Sequence, residues 1–237
     1  MSQEPKRALI FAPHPDDAEI GMGATIAKLL AEGWDVIIAE LTDGEPTPAG
    51  TPEIRKAEQA RATEILGIKE RICLGLPNRY LQVNLEYTRL IAETIRKYRP
   101  HVIFVTFRPD AHPDHIHAGQ LVEDARFVAK LTKTTMAYEP WWTPKVLYYY
   151  SNHLRVNIEP SLLLDVTDYW QVKVDAISAF RSQFWDKYDD PDQKGEMVEI
   201  VTAQGRYFGS RIHVKYAEPF FCHDPIGLSD LAALLPI

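Results

Sequence analysis

The stretch RALIFAPHPDDAEIGMGATIAKLLAEG, residues 7–33, decides the fold. Its first six residues are a short apolar run closed by Pro13, which reads as a buried strand. Past the polar turn, Met22, Ile26, Leu29 and Leu30 recur at i, i+4, i+7 and i+8, and Gly33 ends the stripe, so residues 19–32 read as a helix. The same unit then repeats. Residues 36–41 are a strand, 42–52 a Gly/Pro/Thr-rich loop and 53–66 a helix stopped by Gly67. Residues 71–74 form a short strand, followed by a helix with Tyr87, Ile91, Ile95 and Tyr98 on one face and Pro100 at its end. The strand 101–107 leads through a polar loop to a helix marked by Ala118, Val122, Ala125 and Ala129.

Four strand–helix units in succession predict a parallel sheet with right-handed crossovers, an α/β protein with a Rossmann-like, doubly wound, mostly parallel sheet. The rest is a C-terminal α+β elaboration. KVLYYYS (145–151) and SLLLDV (161–166) read as strands, and Thr167 or Asp168 caps a helix carrying Trp170, Val174 and Ile177. A helix over about 193–208 and a last strand RIHVKYAE (211–218) complete the reading. No repeat or linker divides the chain, so residues 1–237 are expected to be one domain.

A formal net charge of −7 argues against nucleic acid as the main partner, because a phosphate backbone is met by a basic surface. Cys73 and Cys222 are too few for a disulfide framework and fit a reducing cytoplasm. The opening residues lack the pattern of a signal peptide, and no stretch approaches the roughly 20 apolar residues of a membrane span. A soluble, cytoplasmic protein is expected.

HPDDAE (14–19) directly follows the first strand and PDAHPDH (109–115) the fourth. Both therefore sit at strand C-terminal ends, the edge where open α/β sheets collect ligands. The fold gathers His14, Asp16, Asp17, Glu19, Asp110, His112, Asp114, His115 and His117 at one rim. So many acids beside imidazoles repel one another unless a cation holds them. Zinc in hydrolases takes three His or carboxylate ligands and keeps a fourth position for water. His14, Asp17 and a histidine of the second segment supply three, leaving Asp16 and His112 as base and oxyanion stabiliser. Mixed imidazole and carboxylate donors favour zinc, with iron, manganese or cobalt as alternatives.

One His-Pro-Asp alone is usually a turn; two at one sheet edge are what make the metal reading. His101, His213 and His223 read as structural, and His117 points away from His115 on its helix. Trp141, Trp142 and Tyr148 to Tyr150 read as core or subunit contact in preference to sugar-stacking platforms. Arg55, in the first helical turn at the same rim, reads either as a solvated helical charge beside Glu53 and Glu58 or as a clamp for a carboxylate or phosphate. A dinucleotide site is excluded because PHPDDAEIGMG contains no G-x-G-x-x-G and its acids repel a pyrophosphate. No G-x-S-x-G marks a serine hydrolase. The remaining alternatives are a metal-dependent enzyme acting on another amide and a metal-binding or assembly protein that does not turn over; Asp16 and the absence of cysteines beside the cluster argue against the second.

PHPDDAEIGMGATI (13–26), the Thr/Gly loop leading to Arg55, HPDHIHAG (112–119) and the later YYYSN, DVTD, SQF and YAEPFF segments resemble the LmbE-like, or PIG-L, family of N-acetylglucosaminyl deacetylases. The later segments and the length are similar to the branch of bacillithiol biosynthesis, whose substrate is an N-acetylglucosaminyl malate. The resemblance implies zinc held by His14, Asp17 and His115, Asp16 as general base, His112 as cationic oxyanion stabiliser oriented by Asp114, and Arg55 in contact with substrate. It further implies an amino-sugar substrate, release of acetate and a homo-oligomer, trimer or hexamer. The chain departs from that branch at Ala111, where an arginine commonly precedes the first histidine, with Arg108 nearby.

Overall fold

A computed structural model of the chain describes residues 5–151, 153, 159–228 and 230. Strands β1 (Arg7–Ala12), β2 (Asp35–Glu40), β3 (Glu70–Cys73), β4 (Val102–Thr106), β5 (Lys145–Tyr149), β6 (Leu162–Asp165) and β7 (Ala217–Phe221) form one sheet in the order β3-β2-β1-β4-β5-β7-β6. The first five are mutually parallel, and β7 runs antiparallel between β5 and β6. The chain is thus the expected doubly wound, mostly parallel α/β fold.

Alternate residues of β1 feed two cores. Leu9 and Phe11 pack under α3 (Leu85–Tyr98) and α4 (Pro113–Ala129), while Ala8, Ile10 and Ala12 pack under α1 (Asp17–Ala31). Both faces of the central strands are buried, which is why they read as continuous apolar runs. The order reverses at β1: β2 lies on one side of it and β4 on the other. That reversal opens a crevice above the carboxyl ends of β1 and β4. No helix among the described residues is long and apolar enough to cross a membrane.

Helix ends follow local chemistry. Thr51 caps α2 (Pro52–Leu66) by accepting from the Ile54 N–H at 3.3 Å, and Gly67 closes it at φ 77. Two expectations need correction. RIHVKYAE is not the last strand: the backbone turns, with Val214 N donating to Gly209 O and His213 at φ 62, and the strand begins only at Ala217. The helix after β6 is not capped by Thr167 or Asp168. Instead Asp165 Oδ1 accepts from the Thr167 N–H and hydroxyl, setting a short 3-10 turn ahead of α5 (Trp170–Ser178). A short α6 (Arg181–Phe184) also precedes α7 (Glu196–Ser210).

Helix α1 is broken at Met22, whose φ of −151 and ψ of 25 leave the helical region. A break frees N–H groups of the following turn, and buried N–H groups need acceptors. Glu218 of β7 supplies them: its two carboxylate oxygens accept from Ala24 N at 3.3 Å and Thr25 N at 2.7 Å. Lys173 of α5 closes the group with a 2.5 Å ion pair to the same carboxylate. The C-terminal elaboration therefore caps the interior of the helix that presents the first polar segment. Glu218→Ala, which strands a buried lysine and two N–H groups, is expected to lower the unfolding free energy by about 3–5 kcal/mol in urea titration. A loss below about 1 kcal/mol contradicts this role.

Candidate active site

The turn after β1 is tied by its own residues: Asp17 Oδ2 accepts from the His14 backbone N–H at 3.0 Å and lies 3.2 Å from His14 Nδ1. To make this turn Asp16 adopts φ 106, a left-handed conformation costly for a residue with a Cβ. Strain here holds the Asp16 carboxyl at the pocket. After β4, His112 caps α4 with its imidazole, Nδ1 accepting from the Asp114 N–H at 3.2 Å, and Pro113 occupies the first helical position. Thr106 Oγ1 donates to His115 O at 3.1 Å and fixes that first turn to the end of β4.

The two segments meet across the crevice. His115 Nε2 stands 3.2 Å from Asp17 Oδ2, and one donor atom each from His14, Asp17 and His115 lie within 4.8 Å of one another. Ligands at about 2.1 Å from a tetrahedral ion sit about 3.4 Å apart, so this spacing fits a single cation. The fit has independent support: buried His115 Nε2 has no hydrogen-bond partner among the described residues, despite its closeness to Asp17.

The other ring nitrogens are held as metal-ligating imidazoles usually are, by carboxylates. His14 Nε2 is 3.2 Å from Asp114 Oδ2, and His115 Nδ1 is 3.0 Å from Asp110 Oδ2. Asp114 is itself anchored, accepting from Arg79 N at 2.6 Å and Leu81 N at 3.2 Å. Among the described residues no hydrogen bond joins the Asp114 carboxylate to the His112 ring; its backbone N–H orients His112 and its carboxylate serves His14.

The ionisable groups of the cluster interact strongly through their burial and closeness. Burial opposes protonation of His14, but hydrogen bonds with Asp114 and Asp17 outweigh it and push the pKa up to about 9. For His115 burial is likewise outweighed, by the Asp17 charge and the Asp110 hydrogen bond, and the pKa rises to about 10. Asp17 is held well below the usual carboxylate range: burial opposes this, and the His115 charge and hydrogen bonds overcome it. Asp16 goes the other way. Burial, with the Asp17 charge added and the Arg55 guanidinium opposing, lifts it to about 7. Burial and the charges of His14 and His115 push His112 down to about 4, and its Nδ1 accepts from the Asp114 N–H.

Arg55 is 5% exposed, more buried than the surface arginine its helical position suggests. Its Nη2 donates to Pro15 O at 3.1 Å and lies 3.6 Å from Asp16 Oδ2. Glu58, 3.8 Å from Arg55 Nη1, is fixed by the Ser182 N–H and hydroxyl at 2.6 and 2.8 Å. Arg55 therefore touches the pocket while setting the place of Asp16. Glu19 is not part of the cluster: it turns beneath it to Arg71 at 2.7 Å. His117 is not among the pocket-lining residues. Arg108 is committed to Gln120 and Glu123 at 2.7 and 2.6 Å and does not replace the arginine missing at Ala111.

A pocket of about 400 Å³ rises from the cluster, and Tyr149, Tyr150, Ser151 and His153 line it together with His14 and His112. Part of the aromatic run assigned to the core or a subunit contact thus faces the site; alternation along β5 carried no signal for it, since Tyr148, Tyr149 and Tyr150 are all buried. The role of Asp110 beside His115 was likewise hidden, because a five-residue separation becomes a contact only through the cap of α4.

A Rossmann-like sheet with a His/Asp cluster on the loops after β1 and β4 defines the class: an α/β protein whose reactive groups meet at the sheet's switch point. The chain belongs to the PIG-L family, whose model, described as GlcNAc-PI de-N-acetylase, matches residues 9–126. It is 32% identical to a diacetylchitobiose deacetylase of Thermococcus kodakarensis over 90% of this chain and 81% of that protein. It is 29% identical to a probable N-acetyl-alpha-D-glucosaminyl L-malate deacetylase 2 of Bacillus anthracis, over 76% of this chain and 82% of that one. The crystal structure of a conserved protein from Thermus thermophilus superposes with a TM-score of 0.86 at 37% identity, over 93% of this chain and 96% of that one.

Proposed function

We propose that the chain is a metal-dependent N-deacetylase that hydrolyses the acetamide of an N-acetylglucosamine-type substrate to acetate and a free amine. The observation that carries the reading is the convergence of His14 Nδ1, Asp17 Oδ2 and the buried, unpartnered His115 Nε2 against a pocket that His14, Asp16 and Asp17 line. His14, Asp17 and His115 would hold the ion. Their mixed donors suit Zn2+, with Fe2+, Mn2+ or Co2+ also compatible. When bound, the metal supplies Lewis acidity that acidifies water and polarises a carbonyl.

The chain's own groups do the rest. Asp16 accepts the proton of the attacking water and returns it to the departing amine, two tasks suited to a carboxyl whose pKa lies near the working pH. Arg55 keeps that carboxyl aimed. His112, with Nδ1 occupied by the Asp114 N–H, offers Nε2–H to the oxyanion of the tetrahedral adduct. Asp110 and Asp114 hold the two histidines in the tautomers that leave a lone pair for the metal.

Because Asp16 must be ionised to take a proton, kcat/KM is expected to rise with pH on the acid side, half-maximal near pH 7 and level above about pH 8. A bound cation moves this limb to lower pH. Activity that climbs as pH falls from 7 to 5 contradicts the assignment of the base. The reaction itself is tested by mass detection of the free amine from N-acetylglucosamine, its malate and inositol glycosides and diacetylchitobiose. Loss of the acetyl group from at least one supports the reading, and an intact panel with metal bound overturns it.

A further inference from the structure

The loops after β4 and β5 leave the same edge of the sheet, because the two strands pair in parallel with Thr106 opposite Tyr149. Asp110 comes from the first loop, Ser151 and His153 from the second. Asp110 is buried and divides its carboxylate between two tasks: Oδ2 holds His115 Nδ1 at 3.0 Å, and Oδ1 accepts from the His112 N–H at 2.8 Å. His153 Nδ1 stands 3.6 Å from that Oδ1. This is too far for a hydrogen bond and close to the spacing of about 3.4 Å between two ligands of one tetrahedral ion. Ser151 Oγ lies 3.3 Å from His153 Nδ1 and 3.2 Å from His115 Nδ1, so a hydroxyl joins the carboxylate and the imidazole.

Charge favours a cation at this point. Asp16, Asp17, Asp110 and Asp114 crowd one rim, and among the described residues the Lys or Arg within 4.0 Å of them is Arg55. One divalent ion held by His14, Asp17 and His115, together with that guanidinium, does not cancel these carboxylates. The surplus is negative. The point is also reachable, since the His153 side chain is 47% exposed and lines the pocket with Ser151, while Asp110 behind it is buried.

We propose that Asp110, Ser151 and His153 form a second site for a divalent transition-metal ion, sharing no ligand atom with the His14, Asp17 and His115 site, and that filling it slows turnover. Slowed turnover rests on the deacetylase reading above; the site itself does not. An imidazole beside a carboxylate selects zinc-like ions over magnesium, which prefers oxygen donors alone. With fewer strong donors than the first site, it binds more weakly. An ion on Asp110 draws charge from the carboxylate that holds His115 Nδ1 and so makes that metal ligand less basic. It also occupies the pocket wall beside His112, whose ring centroid is 5.5 Å from that of His153.

The test titrates the metal-free full chain with Zn2+ and with Co2+, counting bound metal by elemental analysis after equilibrium dialysis. One tightly held ion followed by a second at higher concentration is expected, with Mg2+ failing to compete for the second. His153→Ala should keep the first ion and lose the second, and its half-exposed ring is removed without opening the core. Acetate release should fall over the zinc range that fills the second site. That fall should vanish in His153→Ala when each protein is scaled to its own rate with one ion bound. A single ion at every concentration, or a second ion retained in the variant, overturns the site; a fall in rate unmoved by the substitution overturns its effect on turnover. If no acetate is released under any condition, the deacetylase reading fails and the metal count still decides the site.

Discussion

Asp16→Asn is expected to lower kcat by about 10³-fold while leaving metal content unchanged. The amide has the shape of the carboxyl but cannot accept a proton, so the variant removes the base and little else. Asparagine also tolerates the left-handed backbone that the turn imposes at φ 106, and the fold should be retained. Asp16 is not one of the three groups that converge on the cation point, which is why metal should stay. Steady-state kinetics beside elemental analysis of the same preparation checks both halves. Turnover near the wild-type level removes Asp16 from the base role; loss of metal moves it into the ligand set.

Replacing His115 has a different signature. His115→Ala should abolish metal binding at micromolar zinc and, with it, at least 10³-fold of activity. It also leaves the Asp17 and Asp110 carboxylates facing a buried space without their shared imidazole, at a cost of about 3–5 kcal/mol in unfolding free energy. Asp110→Asn separates the two effects. It keeps the ligand and alters only the group that holds His115 Nδ1, so zinc affinity should fall by about 10–100-fold in a nearly wild-type fold. Full zinc occupancy in His115→Ala contradicts the ligand set, and unchanged affinity in Asp110→Asn contradicts the positioning role.

The central sheet was legible because both faces of its central strands are buried as apolar runs and α3 carries an apolar stripe along one face. Placing two polar segments at strand ends was enough to bring His14, Asp17 and His115 together. The last strand failed for a physical reason. RIHVKY alternates as a half-exposed strand does, whereas the true strand, Ala217–Phe221, is buried along its whole length and contains Pro219, so it shows neither alternation nor the usual composition. Helix α1 was placed, but its break at Met22 was not, since the acceptor for Thr25 N is Glu218, 193 residues away. The same holds for Arg55. Its helical spacing from Glu58 suggested a solvated charge, and only the packing of Ser182 onto Glu58 makes it a buried support for Asp16.

The measurement that bears most directly on metal-dependent deacetylation is acetate release from N-acetylglucosamine glycosides by the zinc-loaded chain, by the chain stripped with a chelator, and by the stripped chain given back one equivalent of zinc. Equal amounts of acetate and free amine are expected from the loaded chain, none from the stripped chain, and recovery on readdition. Undiminished release without metal, or none from any glycoside with the site filled, contradicts a metal-dependent deacetylase.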